Sequence, residues 1–236
     1  MYFVNAGVAP GSFIMDMTSP GSSNALYDLG LDRSGFTLTL TGALKVAGTV
    51  NVVSGTVACG TNLTLISAAA YSGRIGTLAA GASITGTITV NRYSAVGTTG
   101  WTFWGIPMQS ALTFQDWNDD FSITCSTCPN GYPGNFTSIY SYNETLPGVW
   151  DASGSYVPIT TISTSIASGK GYWVYFGNGQ TNTSAITVDV TGTVRSGNFS
   201  IPLSYTNNGN QENDGWNLIS NPYPSPIKWS LLKGAT

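Results

Sequence analysis

From Phe36 the chain reads FTLTLTGALKVAGTVNVVSGTVACGTNLTLIS, with Leu, Val and Ile alternating with Thr, Ser and Asn. Leu38, Leu40, Leu44, Val46, Val50, Val52, Val57, Leu63 and Leu65 fall in runs of period two, the mark of strands with one face buried. Gly42, Gly48, Gly55 and Gly60 punctuate these runs, so the pattern predicts very short strands in rungs of about ten residues. Such rungs suit the wall of a β-solenoid or a meander within a sandwich. The even placement of the turns favours the solenoid.

A stretch of small residues, Ser67 to Gly86, follows, in which Ile75, Leu78 and Ile84 keep the signature of buried positions. The strand ITGTITVNRY comes next, and after it the chain becomes rich in Trp, Tyr and Pro. That shift sets a boundary near residue 86. The expected fold is all-β: a short solenoid-like repeat region over 1–86, then an antiparallel β-sandwich over 87–236, truncated at its C-terminus. Further strands are predicted around Ser138–Tyr142, Gly171–Tyr175, Ala185–Val190 and Asn198–Leu203, with a helical period only at Trp229–Lys233. An internal echo runs through the second half. Gly100-Trp101 with Pro107 returns as Gly215-Trp216 with Pro222, which predicts two similar corners where a Trp-bearing strand meets a proline.

Composition narrows the function. Charged residues are 8% of the chain, against roughly 25% in an ordinary soluble domain, so Ser, Thr, Asn and Gly supply the solvated surface. With eight Lys plus Arg and a net charge of −3, no run of phosphates can be neutralised, and nucleic acid is excluded as a partner. The chain contains no His, which removes the commonest general base and the usual zinc ligand. The N-terminal residues lack a signal peptide's basic and apolar regions, and no window has the ~18 apolar residues of a membrane span. This surface composition points to an exported protein, of which the chain is a segment whose signal lies upstream. In that setting Cys125 and Cys128, in the string Cys-Ser-Thr-Cys, are expected to form a small disulfide capping a loop. Cys59 is left over.

Three groups of residues invite chemistry. Asp116, Asn118, Asp119 and Asp120, in FQDWNDDFS, place several oxygens on one loop, as a structural Ca²⁺ site would require. The same string reads equally as a solvated turn whose carboxylates cap backbone amides. Aromatic side chains offer flat faces to sugar rings, with Trp150, Tyr142 and Trp117 as the chosen stacking candidates. A glycosidase pair would have to come from Asp119, Asp120 and Glu144, since the chain holds few carboxylates. Gly169-Lys170-Gly171 lacks phosphate-loop spacing and reads as a turn.

The strings TLAAGASITGTITVNRY, WTFWGIPM, DWNDDF, YSYNE, GKGYWVY and above all GWNLISNPYPSPIKW resemble a recurrent module of large Bacteroidota surface proteins exported by the type IX secretion system. The resemblance covers residues 60 to 236, without the C-terminal sorting domain. It implies secretion and an extracellular or cell-surface location, and no defined activity. The expectation is therefore a non-catalytic structural or adhesive segment, with extracellular glycans, other surface proteins or further copies of itself as partners. The alternative is a carbohydrate-binding module that uses exposed aromatics and a structural calcium. Insertion into a membrane is not expected.

Overall fold

The computed structural model describes residues 1–4, 25–95, 100–146, 154–177, 185–207 and 214–232. Among these residues the protein is all-β, with two single-turn α-helices. Strands β1 (Tyr2–Val4), β2 (Ala25–Leu26), β3 (Leu29–Thr39), β4 (Leu44–Val46), β5 (Thr49–Ala58) and β6 (Leu63–Leu65) open the chain. The short β7 (Ser67–Ala68), β8 (Tyr71–Ser72) and β9 (Arg74–Ile75) follow, then β10 (Ala82–Thr85) and β11 (Thr87–Ser94). From β1 to β6 successive strands alternate between two walls, while β7 and β8 pair with each other. One wall runs β1-β3-β5-β10, with β9 also on β5; the other runs β11-β6-β4-β2.

All of these wall ladders are parallel. Leu44 pairs with Leu63 and Leu29 with Val50, steps of 19 and 21 residues; Leu63 pairs with Ile88, a step of 25. The rung of ten residues expected from the pattern is thus half of the true repeat. The reason is physical: period two reports which face of a strand is buried, and consecutive strands here belong to opposite walls. The inward residues are Val46, Val50, Val52, Val57, Leu63, Leu65 and Ile88, all fully buried. Gly60 adopts positive φ where the chain turns from one wall to the other, and Gly55 adopts it inside β5, where the register with β3 breaks between Asp32 and Thr37.

The second half supplies β12 (Trp101–Trp104), β13 (Leu112–Thr113), helix α1 (Gln115–Asn118), β14 (Ile139–Tyr142), β15 (Tyr156–Pro158), β16 (Ser165–Ile166), β17 (Tyr172–Tyr175), β18 (Ile186–Thr193) and helix α2 (Trp229–Leu232). Strands β12-β17-β14-β15 make one antiparallel sheet, and β13 pairs with β16. Strand β18 leaves this group and lies antiparallel against all of β11. The hydrogen-bonded wall therefore continues across residue 86, and one hydrophobic cluster runs from Leu29 and Val57 to Trp117, Val174 and Val190. The sheets are mixed, parallel in the walls and antiparallel beyond them.

Two local expectations are corrected. Asn198–Leu203 forms no strand. The echo holds at its glycines, with Gly100 and Gly215 both at positive φ, but not beyond. Trp101 starts a four-residue strand, whereas the second copy contributes only a single bridge, Ile219 to Lys170. That segment acts as a seam instead. Gly171 N–H donates to Leu218 O, Ser220 N–H to Gly169 O, and Ile75 N–H to Pro224 O. It thereby ties the antiparallel sheet to the first wall.

Candidate functional site

The antiparallel sheet has two faces of different character. In β17, Tyr172 and Val174 point inward and are buried; Tyr172 meets Phe114 and Trp117 edge-to-face at 5.1 and 6.2 Å. Register places Trp173 opposite Phe103 and Tyr140, Trp101 opposite Tyr175, and Tyr142 opposite Tyr156. Cross-strand partners share a face, so these seven rings all lie on the other side of the sheet. Phe136 joins them, 5.9 Å from Trp101 and 5.2 Å from Tyr175 between ring centroids. Most of this face is half-buried, Phe103 is 61% exposed, and Tyr175 is buried beneath its neighbours.

Trp101 and Trp173 form the centre, with centroids 4.3 Å apart and planes at 31°. Tyr156 sits 5.1 Å from Trp173, and Tyr140 6.0 Å from both indoles. The rings are tilted against one another rather than coplanar, which stacks them into a continuous ridge. Such packing holds large apolar side chains in fixed orientations. Fixed, half-exposed rings are what a binding surface needs in order to avoid ordering costs on contact.

The chosen aromatic candidates divide. Tyr142 lies on this face, packed edge-to-face on Tyr156 at 5.2 Å, and lines a cleft of about 530 Å³ with Glu144, Lys170 and Asn217. Trp150 lies outside the described residues. Trp117 is fully buried and unavailable for stacking. The string FQDWNDDFS was expected to be a loop, but its first residues form α1, and that turn carries Trp117 inward onto Phe114 and Phe121.

The acidic string does not converge. Asp116 Oδ2 accepts from Thr113 N–H at 2.8 Å and from its hydroxyl at 3.0 Å. Asn118 Oδ1 accepts from Ile123 N–H and from the Asn130 side chain, and Asp120 Oδ2 accepts from Asp189 N–H at 2.7 Å. Asp119 is exposed. Each oxygen thus serves a different backbone segment, and among the described residues no three acidic side chains stand close enough to hold a metal ion. These four residues do not fit a Ca²⁺ cage. Burial, aided by the charges of Asp189 and Asp119, pushes the Asp120 carboxyl up to about 6 against the Asp189 hydrogen bond; Asp189 is raised as well, by burial and by Asp119.

Glu144 serves a separate network. Burial raises its carboxyl, but hydrogen bonds from Ser204, Thr206 and Gly215 outweigh that and hold it below the usual range. The buried side chain accepts from both N–H and hydroxyl of Thr206, so it anchors the 204–206 segment to the end of β14. Cys125 and Cys128 are joined by a disulfide, with Cα atoms 4.9 Å apart. Cys59 is a fully buried thiol, pushed up to about 12 by desolvation.

Fold and site together define an all-β protein with an open aromatic sheet face. The chain belongs to the family described as Domain of unknown function (DUF8693), whose model matches residues 19–234. No curated protein and no solved structure matches it. Among the described residues no helix is long and apolar enough to cross a membrane.

Proposed function

We propose that this chain is a non-catalytic, extracellular adhesive segment that holds glycans on the aromatic face of its antiparallel sheet. In this reading the parallel walls are a short β-solenoid that serves as a rigid support, and the antiparallel region is the ligand-bearing module. The observation behind it is the ridge around Trp101 and Trp173, where a half-exposed row of rings is built from four strands. A soluble protein gains nothing in stability from leaving such rings at the surface, and exposed apolar patches of this kind mark contact sites. A low surface charge suits a neutral, hydroxyl-rich ligand, and export follows from composition and from the resemblance to secreted surface modules.

Retention on insoluble polysaccharides tests this. Wild-type protein is expected to bind saturably to at least one neutral polysaccharide, and Trp173→Ala to reduce retention at least tenfold. Tyr156→Ala, at the rim of the ridge, serves as the milder second variant, with near-ultraviolet dichroism checking the fold of each. Equal retention of wild type and both folded variants, or no retention on any glycan, overturns the reading. The surviving account would then be assembly through protein partners along exposed strand edges.

A further inference from the structure

Beside the aromatic face lies a cleft of about 480 Å³, within the roughly 300–1,000 Å³ of small-ligand sites. Phe103 belongs to both. Its ring stands on the aromatic face opposite Trp173 and also lines the cleft, together with Trp104, Arg74 and Arg92. Two glycines pack close against the seam at the edge of the cleft. Gly105 and Gly171 line it, and a Cβ at Gly105 would collide with the Ser220 side chain, while one at Gly171 would come within 2.9 Å of Leu218.

The two arginines are mounted on ladders of the walls. Arg74 lies in β9 opposite Thr49, and its N–H donates to Gly48 O at 2.8 Å. Arg92 lies in β11, and its Nη1 donates to the carbonyls of Gly73 and Asn91 at 3.1 and 2.8 Å. The bond to Gly73 brings the Arg92 guanidinium beside the backbone of Arg74. Among the described residues no acidic side chain lines the cleft, where two of the chain's eight cationic residues meet. Burial also lowers the Arg92 pKa. Two guanidinium groups lining one cleft favour a planar acceptor such as a carboxylate.

We propose that this cleft binds the carboxylate of an acidic sugar, so that a uronate-containing chain runs from the aromatic ridge past Phe103 onto Arg74 and Arg92. This inference rests on the glycan reading of the aromatic face and names the charged unit that extends it. A net charge of −3 repels an anionic polymer in general, so attraction must come from this local pair.

Calorimetry with trigalacturonate, its methyl ester and a neutral hexasaccharide at pH 7 tests it. Wild type is expected to bind the acid at least tenfold more tightly than the ester, with affinity falling as salt rises. Arg74→Glu, at an exposed position, is expected to erase that preference and leave neutral-glycan binding unchanged. Arg92→Lys keeps the charge but loses the planar fork, and is expected to weaken acid binding several-fold. Equal affinity for acid and ester, or acid binding within twofold of wild type in Arg74→Glu, overturns the cleft assignment while leaving the aromatic face intact. Conversely, loss of all neutral-glycan binding with galacturonate still held in an Arg74-dependent way would sink the aromatic reading and keep the cleft.

Discussion

Asp120 should be worth more to the protein without its charge. Its carboxylate accepts the Asp189 N–H in a half-buried position near two other aspartates, and its carboxyl is pushed from an ordinary 3.8 to about 6. A folded state that holds the proton more tightly than the unfolded chain is favoured at low pH. This contribution is fully present below about pH 4 and is lost as pH rises through about 6. At roughly 1.4 kcal/mol per pH unit the full effect would be about 3 kcal/mol, and screening of a half-exposed group reduces it to about 1 kcal/mol. Asp120→Asn keeps an oxygen for the Asp189 N–H and removes the charge. The variant is therefore expected to be about 1 kcal/mol more stable than wild type at pH 7.5, a gain of about 2–4 °C in Tm for a chain of this size, and no more stable at pH 4. Urea unfolding followed by tryptophan fluorescence at pH 4, 5.5 and 7.5 reads this directly. A variant less stable than wild type at pH 7.5, with the deficit abolished by a chelator, would refute the argument, because the charge would then be holding a cation.

Two further outcomes follow from the core. Gly86 sits at φ 91° between β10 and β11, where a Cβ would lie 2.5 Å from Gly60 O and 2.7 Å from Gly60 N; Gly86→Ala is expected to cost about 2–4 kcal/mol in urea unfolding, and a cost under about 0.5 kcal/mol would show that this junction gives way freely. Cys59, buried and held as the thiol, is expected to resist alkylation at pH 8 until denaturant is added; labelling of the native protein at the unfolded rate would contradict the packing around it.

Much of the support was legible in the sequence, because alternation is a local property. Val50, Val52 and Val57 read as buried and are, and Gly60 reads as a turn and is one; Gly55 reads as a turn too but lies inside β5, at a break in its register with β3. What alternation cannot encode is partnership. Leu63 reads the same whether it pairs with a strand ten residues away or, as it does, with Leu44 and Ile88 on either side. Trp117 was misread because its neighbours are acidic, and a single helical turn suffices to send such a side chain inward while its polar flanks cap backbone amides.

The rings of the aromatic face are visible in the same alternation. In GYWVY every second residue leaves the inner face, so the core accounts for Tyr172 and Val174 and leaves half-buried Trp173 without a reason of its own to be aromatic, while Tyr175 is covered by rings of the outer face. The string YSY at 140–142 poses the same question of Tyr140 and Tyr142. When several strands carry rings that their core does not require, the sheet that joins them presents those rings together. Which strands join is a tertiary fact, since β12 and β14 flank β17 although residues 105–138 and 143–171 separate them in the chain. Placing Arg74 and Arg92 beside that sheet depends on a longer connection still, through the seam at Ser220 and Pro224. The cleft is built in part by Ile219, Ser220, Asn221, Tyr223, Ser225 and Pro226 of that segment, which gives the most recognisable string in the sequence an architectural role between the walls and the sheet.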